Sequence, residues 1–318
     1  MAARLLVFIL GLAFCALSAA QYPSRTTRIV VTIPPGGAPD VVARVVGAKL
    51  AEGLGQPVVI ENRPGANGNA AAQEVARAAP DGYTLILAAD SLITINPHLY
   101  SRMPIDTLKD LAPVASLVSN QFVLSVNPSL PVKNFAEFIE YAKKSNPPLN
   151  YASGGNGSQH QLTMELLKAR AGINLVHVPY RGGAPATTAT MSGEVAAMFA
   201  GTSTAPQIKA GRLRALAVSG AKRSAAFPEL PAIAEFYPGF ANSIWLGLFG
   251  PAGMPDEVIA KLRGELRKVL ALPEVREKLN AGGGLEPYSS TPEDFMALIR
   301  SDYERFGKLI REIGIKAD

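Results

Sequence analysis

From Arg28 to Val218 short β-branched runs alternate with longer stretches of helical periodicity, and that alternation restricts the chain to an α/β architecture. Strands are expected at Ile29–Ile33, Pro57–Glu61, Thr84–Ala88, Phe122–Val126, Leu175–Val178, Val195–Phe199 and Leu213–Val218. Helices are expected between them at Asp40–Leu54, Asn69–Ala79, Phe135–Lys144, Gln161–Ala171 and Pro185–Gly193. Strand followed by helix, repeated in this way, predicts lobes built on mostly parallel sheets.

The last 65 residues lose the strand signal. Val258, Ile259, Leu262, Leu266, Val269 and Leu270 follow helical spacing, as do Phe295, Leu298, Ile299, Tyr303, Phe306, Leu309, Ile310 and Ile313. These helices need a sheet to cover. A chain of roughly 300 residues also exceeds what one core usually supports, so two lobes are expected. The economical path leaves a first lobe near Asn120, builds a second to about Phe236 and returns through Ser243–Gly250. That gives one lobe of residues 21–120 and 237–318, a second of 121–236, a hinge of two crossing segments and a cleft between the lobes.

Before the first strand lies Arg4, then an uninterrupted apolar stretch Leu5–Leu17, then Ser18, Ala19 and Ala20. This is the three-part layout of a secretory leader, residues 1–20, with cleavage expected near Ala20. Thirteen residues are too few for a membrane span, which takes about 20 in a helix. Lipid attachment at Cys15 is the alternative, and bulky Phe14 before it argues against that processing.

Cys15 is the one cysteine, so cleavage would leave no disulfide, thiolate nucleophile or cysteine metal site. Losing Arg4 as well lowers 31 basic residues to 30 against 26 acidic ones, a net charge of +4 spread along the chain. No basic run tracks phosphates, so nucleic acid is not an expected partner.

Several strand-to-helix junctions are rich in glycine. Pro34-Pro35-Gly36-Gly37-Ala38-Pro39-Asp40 joins the first strand to the first helix. Its glycines let backbone approach a ligand, and the helix start offers unpaired N–H groups and a positive dipole end to an anion. A plain turn is the other reading, with Asp40 as an ordinary helix-start residue. Arg63-Pro64-Gly65-Ala66-Asn67-Gly68-Asn69 repeats the pattern, with Asn67 or Asn69 as anion donor or as simple cap. Ala88-Ala89-Asp90-Ser91 ends the third strand. The second lobe offers Tyr151-Ala152-Ser153-Gly154-Gly155-Asn156-Gly157-Ser158 and Val178-Pro179-Tyr180-Arg181-Gly182-Gly183. Open α/β sheets bind ligands beyond the carboxyl ends of their strands, so these loops converge on the cleft from both sides.

Catalytic readings find little. Gly201-Thr202-Ser203-Thr204-Ala205 lacks the second glycine of a nucleophile elbow. His98, His160 and His177 are too scattered for a metal motif and read as hydrogen-bonded structural residues. Trp245 and Phe249 read as hinge or core packing. No catalytic residue, metal or cofactor is expected.

The ordered set Pro35-Gly36-Gly37 with Asp40 and Ala43-Arg44, Asn62-Arg63-Pro64-Gly65, Asp81-Gly82-Tyr83-Thr84-Leu85, Asn96-Pro97, Tyr151-Ala152-Ser153, Gly157-Ser158, Val178-Pro179-Tyr180 and Leu213–Val218 resembles the Bug family over essentially the whole chain. These are the substrate-binding receptors of tripartite tricarboxylate transporters. The resemblance implies a periplasmic binding protein of the Venus-flytrap type (type II) that takes a small carboxylate into its cleft and hands it to membrane permease subunits. It implies ligand contacts at Pro35, Gly36, Gly37, Ala38, Asn67, Ser91, Ser153, Gly157, Ser158, Tyr180, Gly182 and Gly183.

Two departures bear on specificity. Family members often read His-Leu after Gly-Ser, whereas Gln161-Leu162 stands here and His160 lies one residue earlier. Many carry Asp after the Met-Phe strand end, where this chain has Ala200-Gly201-Thr202-Ser203. A buried ligand ammonium needs a carboxylate partner, so the solute is expected not to be an amino acid. A di- or tricarboxylate, or an aromatic carboxylate, would meet Thr202 and Ser203 as neutral donors. A periplasmic sensory module and a two-lobed enzyme are the other function classes this scaffold allows. A hinge-closing receptor needs no partner subunit, so a monomer is expected.

Overall fold

The computed structural model describes residues 22–180, 182–224, 226–281 and 285–316, together with the backbone but not the side chain of Ser203. The expected leader, its cleavage point near Ala20 and Arg181 lie outside the described residues.

β1 (Thr27–Val31), β2 (Val58–Asn62) and β3 (Thr84–Ala89) pair in parallel in the order β2-β1-β3, joined by α1 (Ala38–Leu54) and α2 (Asn69–Ala76). After a π-helical turn at Ser91–Ile95 and short α3 (Asn96–Leu99), the chain enters β4 (Leu111–Val126). The second lobe follows as α4 (Phe135–Lys144), β5 (Leu149–Ser153), α5 (Gln159–Ala171), β6 (Leu175–Pro179), α6 (Gly183–Ser192), β7 (Ala197–Gly201), α7 (Ala205–Lys209) and β8 (Arg214–Val218). The chain returns through β9 (Ser243–Pro251) to α8 (Asp256–Ala271), α9 (Pro273–Ala281), β10 (Glu286–Pro287) and α10 (Pro292–Ile313).

The two-lobed α/β fold is the expected one, and its sheets are mixed where mostly parallel ones were expected. β9 lies antiparallel between β3 and β4, and the far half of β4 runs antiparallel to both β7 and β8. Strands that pass directly between sheets need no crossover helix, so they enter antiparallel. β4 is the pivot: Gln121 still faces Ser243 on β9, and Phe122 already faces Gly201 on β7. The expected strand at Phe122–Val126 is therefore its second half. Pro113 and two register shifts, between Pro113 and Ala115 and between Ser116 and Val118, disguise the first half.

Alternation along the strands sends successive side chains to opposite layers. Ile29, Val31, Leu85 and Leu87 pack under α1, α8 and α9, while Val30, Ile86 and Ala88 meet α2, Trp245, Phe249 and the start of α10. Trp245 and Phe295 meet edge to face at 5.3 Å. In the second lobe Leu124, Tyr151 and Phe199 pack on α4 and α5, and Ala152, Met198 and Ala200 on α6. α8 and α9 pack on one face of the β1–β3 sheet. α10 does more, because Phe306, Leu309 and Ile310 share one buried cluster with Ile95 and Leu99 of the first lobe and Leu162 of α5.

Ser219 ties the crossings together. Its hydroxyl accepts the N–H of Phe122 at 2.9 Å and donates to the carbonyl of Asn242 at 2.6 Å. Phe306 is 1 % exposed at the cluster that joins α10 to both lobes, so Phe306→Ala should cost about 3–5 kcal/mol and lower the urea midpoint accordingly. A loss below about 1 kcal/mol would mean that α10 does not hold the lobes together.

Candidate ligand-binding site

The parallel strands of each lobe end toward the other lobe, and the loops that follow them are cross-linked. On the first lobe, Asn62 at the end of β2 donates to the carbonyl of Ile33 at 3.0 Å and to Oδ1 of Asp40 at 2.9 Å. Asp40 is the third residue of α1, and its Oδ2 reaches back to accept the N–H of Gly36 at 2.9 Å. Gly36 has φ +93°, a left-handed value that glycine takes without strain. The loop Pro35, Gly36, Gly37 and Ala38 is thus held from beneath, leaving the first turn of α1 with N–H groups that have no intrahelical acceptor.

The next loop carries stored strain. Gly65, Ala66, Asn67 and Gly68 all have positive φ, and the left-handed pair Ala66 and Asn67 costs roughly 1–2 kcal/mol per residue. Neither Asn67 nor Asn69 caps α2, as one reading of the sequence had it, since its cap residue is Gly68. Both instead bond Asn96: Asn67 Nδ2 donates to Asn96 Oδ1, and Asn96 Nδ2 donates to Asn69 Oδ1 at 2.8 Å. Ser91 follows the buried Asp90, whose Oδ1 accepts the Ser91 N–H at 2.7 Å.

On the second lobe the two glycine loops touch. Tyr180 N–H donates to the carbonyl of Ser153, and Gly182 N–H to that of Gly154. Ser158 caps α5 by accepting the Gln161 N–H, and Gly182, at φ +108°, precedes α6, which begins at Gly183. The His160 ring lies beneath the junction, where a side chain at Gly154 would come within 3.1 Å of it. Among the described residues its Nδ1 is buried without a partner, and burial lowers its pKa to about 4. His98 is hydrogen-bonded to the backbone of Tyr303, with Nε2 unpartnered among the described residues, and His177 is hydrogen-bonded at both ring nitrogens. A cavity of about 390 Å³ opens here, lined by His160, Gly183, Thr187, Met198, Gly201 and Gln207. A larger recess of about 630 Å³ runs along α4, at Glu137, Glu140 and Lys144, away from the strand ends.

The remaining expected contacts have internal partners. Ser153 Oγ meets His177 and Gly155, Tyr180 donates its hydroxyl to Glu194 at 2.8 Å, and Thr202 donates to Asn120 Oδ1 at 2.9 Å. The side chain of Ser203 lies outside the described residues.

The two lobes meet around these loops. Gln159 donates to Oδ2 of Asp90, and Asn242 donates to Thr163 and Gln159. A side chain at Gly157 would collide with Leu99 of the opposite lobe. Asp90 is fully buried, and desolvation first, then the charge of Asp302, pushes its carboxyl well above the usual range. Sequence reasoning names Asp90 only as a strand-end residue and passes over Gln159; their chemistry becomes visible once the lobes are apposed.

Residues 42–315 match the profile of the tripartite tricarboxylate transporter family receptor. The chain belongs to that family. A UPF0065 protein of Bordetella pertussis is 38 % identical over 98 % of this chain and 97 % of its own length, and BugT of the same organism 35 % over 94 % and 93 %. Among solved structures, R. palustris Rpa4515 with adipate aligns at TM-score 0.79 and 34 % identity, covering 93 % of this chain and 99 % of that one. MatC from Rhodopseudomonas palustris with bound malate aligns at 0.72 and 32 %, covering 91 % and 100 %. This receptor carries the Bug-family pattern from the first strand to the C-terminal helices.

Asp40 gives the site a measurable signature. Its hydrogen bond to Arg44, with those from Gly36 and Asn62, lowers its pKa to about 2 against the burial that opposes it. A depressed carboxyl stabilises the fold above the ordinary carboxylate range and loses that contribution as pH falls from about 4 through 2. Asp40→Asn should cost about 1–2 kcal/mol at pH 7, less than the full shift implies because Arg44 is half exposed. In pH-dependent denaturation the difference from the parent should close toward pH 2; a gap that persists there would assign the cost to packing instead of charge.

Proposed function

We propose that this chain is a periplasmic receptor, exported with its leader removed near Ala20, that closes its lobes on a small carboxylate and delivers it to the membrane subunits of a tripartite tricarboxylate transporter. The observation that carries the reading is that glycine-bearing helix starts stand at the carboxyl ends of parallel strands in both lobes, and that the lobes meet beside them through Asp90 and Gln159. Helix starts hold anions through N–H groups that have no other partner. Relatives of about one-third identity with adipate and malate bound support the same solute class.

In this reading Pro35 to Ala38, Asn67 and Ser91 hold the solute from one side. Ser158, Gly182 and Gly183 face it from the other, and Ser153, Gly157, Tyr180 and Thr202 fix the shape of that second wall. The lobes are residues 21–120 with 237–318, and 121–236. The solute is a di- or tricarboxylate or an aromatic carboxylate and not an amino acid, because Ala200-Gly201-Thr202-Ser203 supplies no carboxylate for an ammonium. The receptor acts as a monomer and turns nothing over.

A thermal-shift and calorimetric screen of the mature chain checks this against citrate, malate, adipate, nicotinate, terephthalate, aspartate and glutamate. One carboxylate at 100 times its dissociation constant should add about 2.7 kcal/mol and be recovered unchanged. Tight binding of aspartate or glutamate would contradict the specificity argument, and chemical conversion of the solute would contradict the receptor.

A further inference from the structure

The hydrogen bonds behind the β5–α5 loop admit one consistent set of proton positions. The backbone N–H of Gly157 donates to Oε1 of Gln161 at 2.7 Å. That N–H cannot accept, so the Gln161 amide cannot turn round, and its Nε2 faces His177 Nδ1 at 3.1 Å. Nδ1 is therefore the bare nitrogen, and Nε2 carries the proton that it donates to Ser153 Oγ at 2.6 Å. Ser153 Oγ also accepts the Gly155 N–H and gives its own proton to the Gly155 carbonyl, both at 3.0 Å. Each hydrogen bond on the chain from Gly157 to Gly155 then has one donor and one acceptor.

We propose that His177 is a positioning residue whose neutral imidazole holds the Gly155–Ser158 loop in its anion-binding shape, so that solute affinity is linked to a proton on His177. Protonation would set Nδ1–H against the Nε2–H of Gln161, two donors face to face, and rotating the amide would only move the conflict to Gly157. The proton and the ordered loop therefore exclude each other. This inference rests on the carboxylate-receptor reading, and the loop coupling can be measured without any solute.

Tyr151 on β5 stacks on the imidazole at 5.0 Å, with its hydroxyl bound to Glu165. The charged groups facing the ring are Glu165 and Lys168, both on α5 and paired with each other at 2.8 Å. Burial is the larger influence and holds His177 below its ordinary value; Glu165 opposes this and Lys168 adds to it. The sign follows: a lowered histidine is neutral at pH 7, so affinity should be level down to the ordinary value of about 6.5 and fall only at more acid pH, where His177 takes up its proton, by at most tenfold per pH unit for one proton. His160, lowered to about 4, enters in a separate and more acidic range.

The test follows the histidine nitrogens and the Gly155 and Gly157 amide resonances of the mature protein between pH 8 and 4.5, with melting curves at pH 7 to establish that each variant is folded. The expected result is an Nε2–H tautomer at pH 8 and both glycine amides moving with a single-proton titration of His177. His177→Gln should abolish that movement, and Gln161→Glu, which supplies an acceptor for a protonated Nδ1, should shift it to higher pH. An Nδ1–H tautomer, or glycine amides indifferent to the titration, would overturn the proposal. Calorimetry with adipate, malate and citrate reads affinity over the same range: the parent should weaken with acid and His177→Gln should not, until His160 titrates. Equal acid sensitivity in both would overturn the linkage, whereas failure of all three to bind at pH 8 counts against the receptor reading and leaves the loop coupling to the resonances.

Discussion

The hydroxyl of Ser219 sits where the chain passes between sheets, accepting the N–H of Phe122 on the outward strand and donating to the carbonyl of Asn242 on the return. Each sheet inherits its position from that contact, because β4 and β9 part company at Gln121 and Ser243, one residue from each partner of Ser219. A buried hydroxyl that both accepts and donates resists loss, since removing it strands a backbone N–H and a backbone carbonyl at once.

Around the crossing lies a second, more polar layer. Trp245 donates to Asp302 at 2.9 Å, and Arg305 bonds Asp302, Asn242 and the carbonyl of Ala241. α10 is thereby fastened to the return segment as well as to Ile95, Leu99 and Leu162. Asp90, raised by burial, and Asp302, also raised first by burial, sit close enough to disfavour two charges, and Arg305 moderates both. The apolar cluster supplies affinity between the lobes and the polar one supplies register, since donors and acceptors match in few relative positions.

Much of this is legible in the sequence. The β-branched runs at Ile29, Thr84 and Leu175 and the helix Phe135–Lys144 carry strong local signals, and the structure places elements there. β5 reads as part of a loop because Leu-Asn-Tyr-Ala-Ser has little β-branching, and its strand character comes from lying between β6 and β7. The first half of β4 is hidden by Pro113 for a similar reason. At the site, glycine pairs before helices can be recognised from spacing alone. The commitments of Ser153, Tyr180 and Thr202 cannot, because their partners His177, Glu194 and Asn120 lie 14 to 82 residues away.

In the proposed function the solute's carboxylate is held at the glycine-bearing helix starts of the two lobes. A crystal structure of the mature chain with its tightest carboxylate tests it most directly. The account predicts carboxylate oxygens within about 3.2 Å of backbone N–H groups in the first turn of α1 and of donors at Ser158 or Gly183. Density for the solute elsewhere, such as the recess of about 380 Å³ bounded by Trp245, Tyr288 and Arg305 behind the hinge, would contradict it.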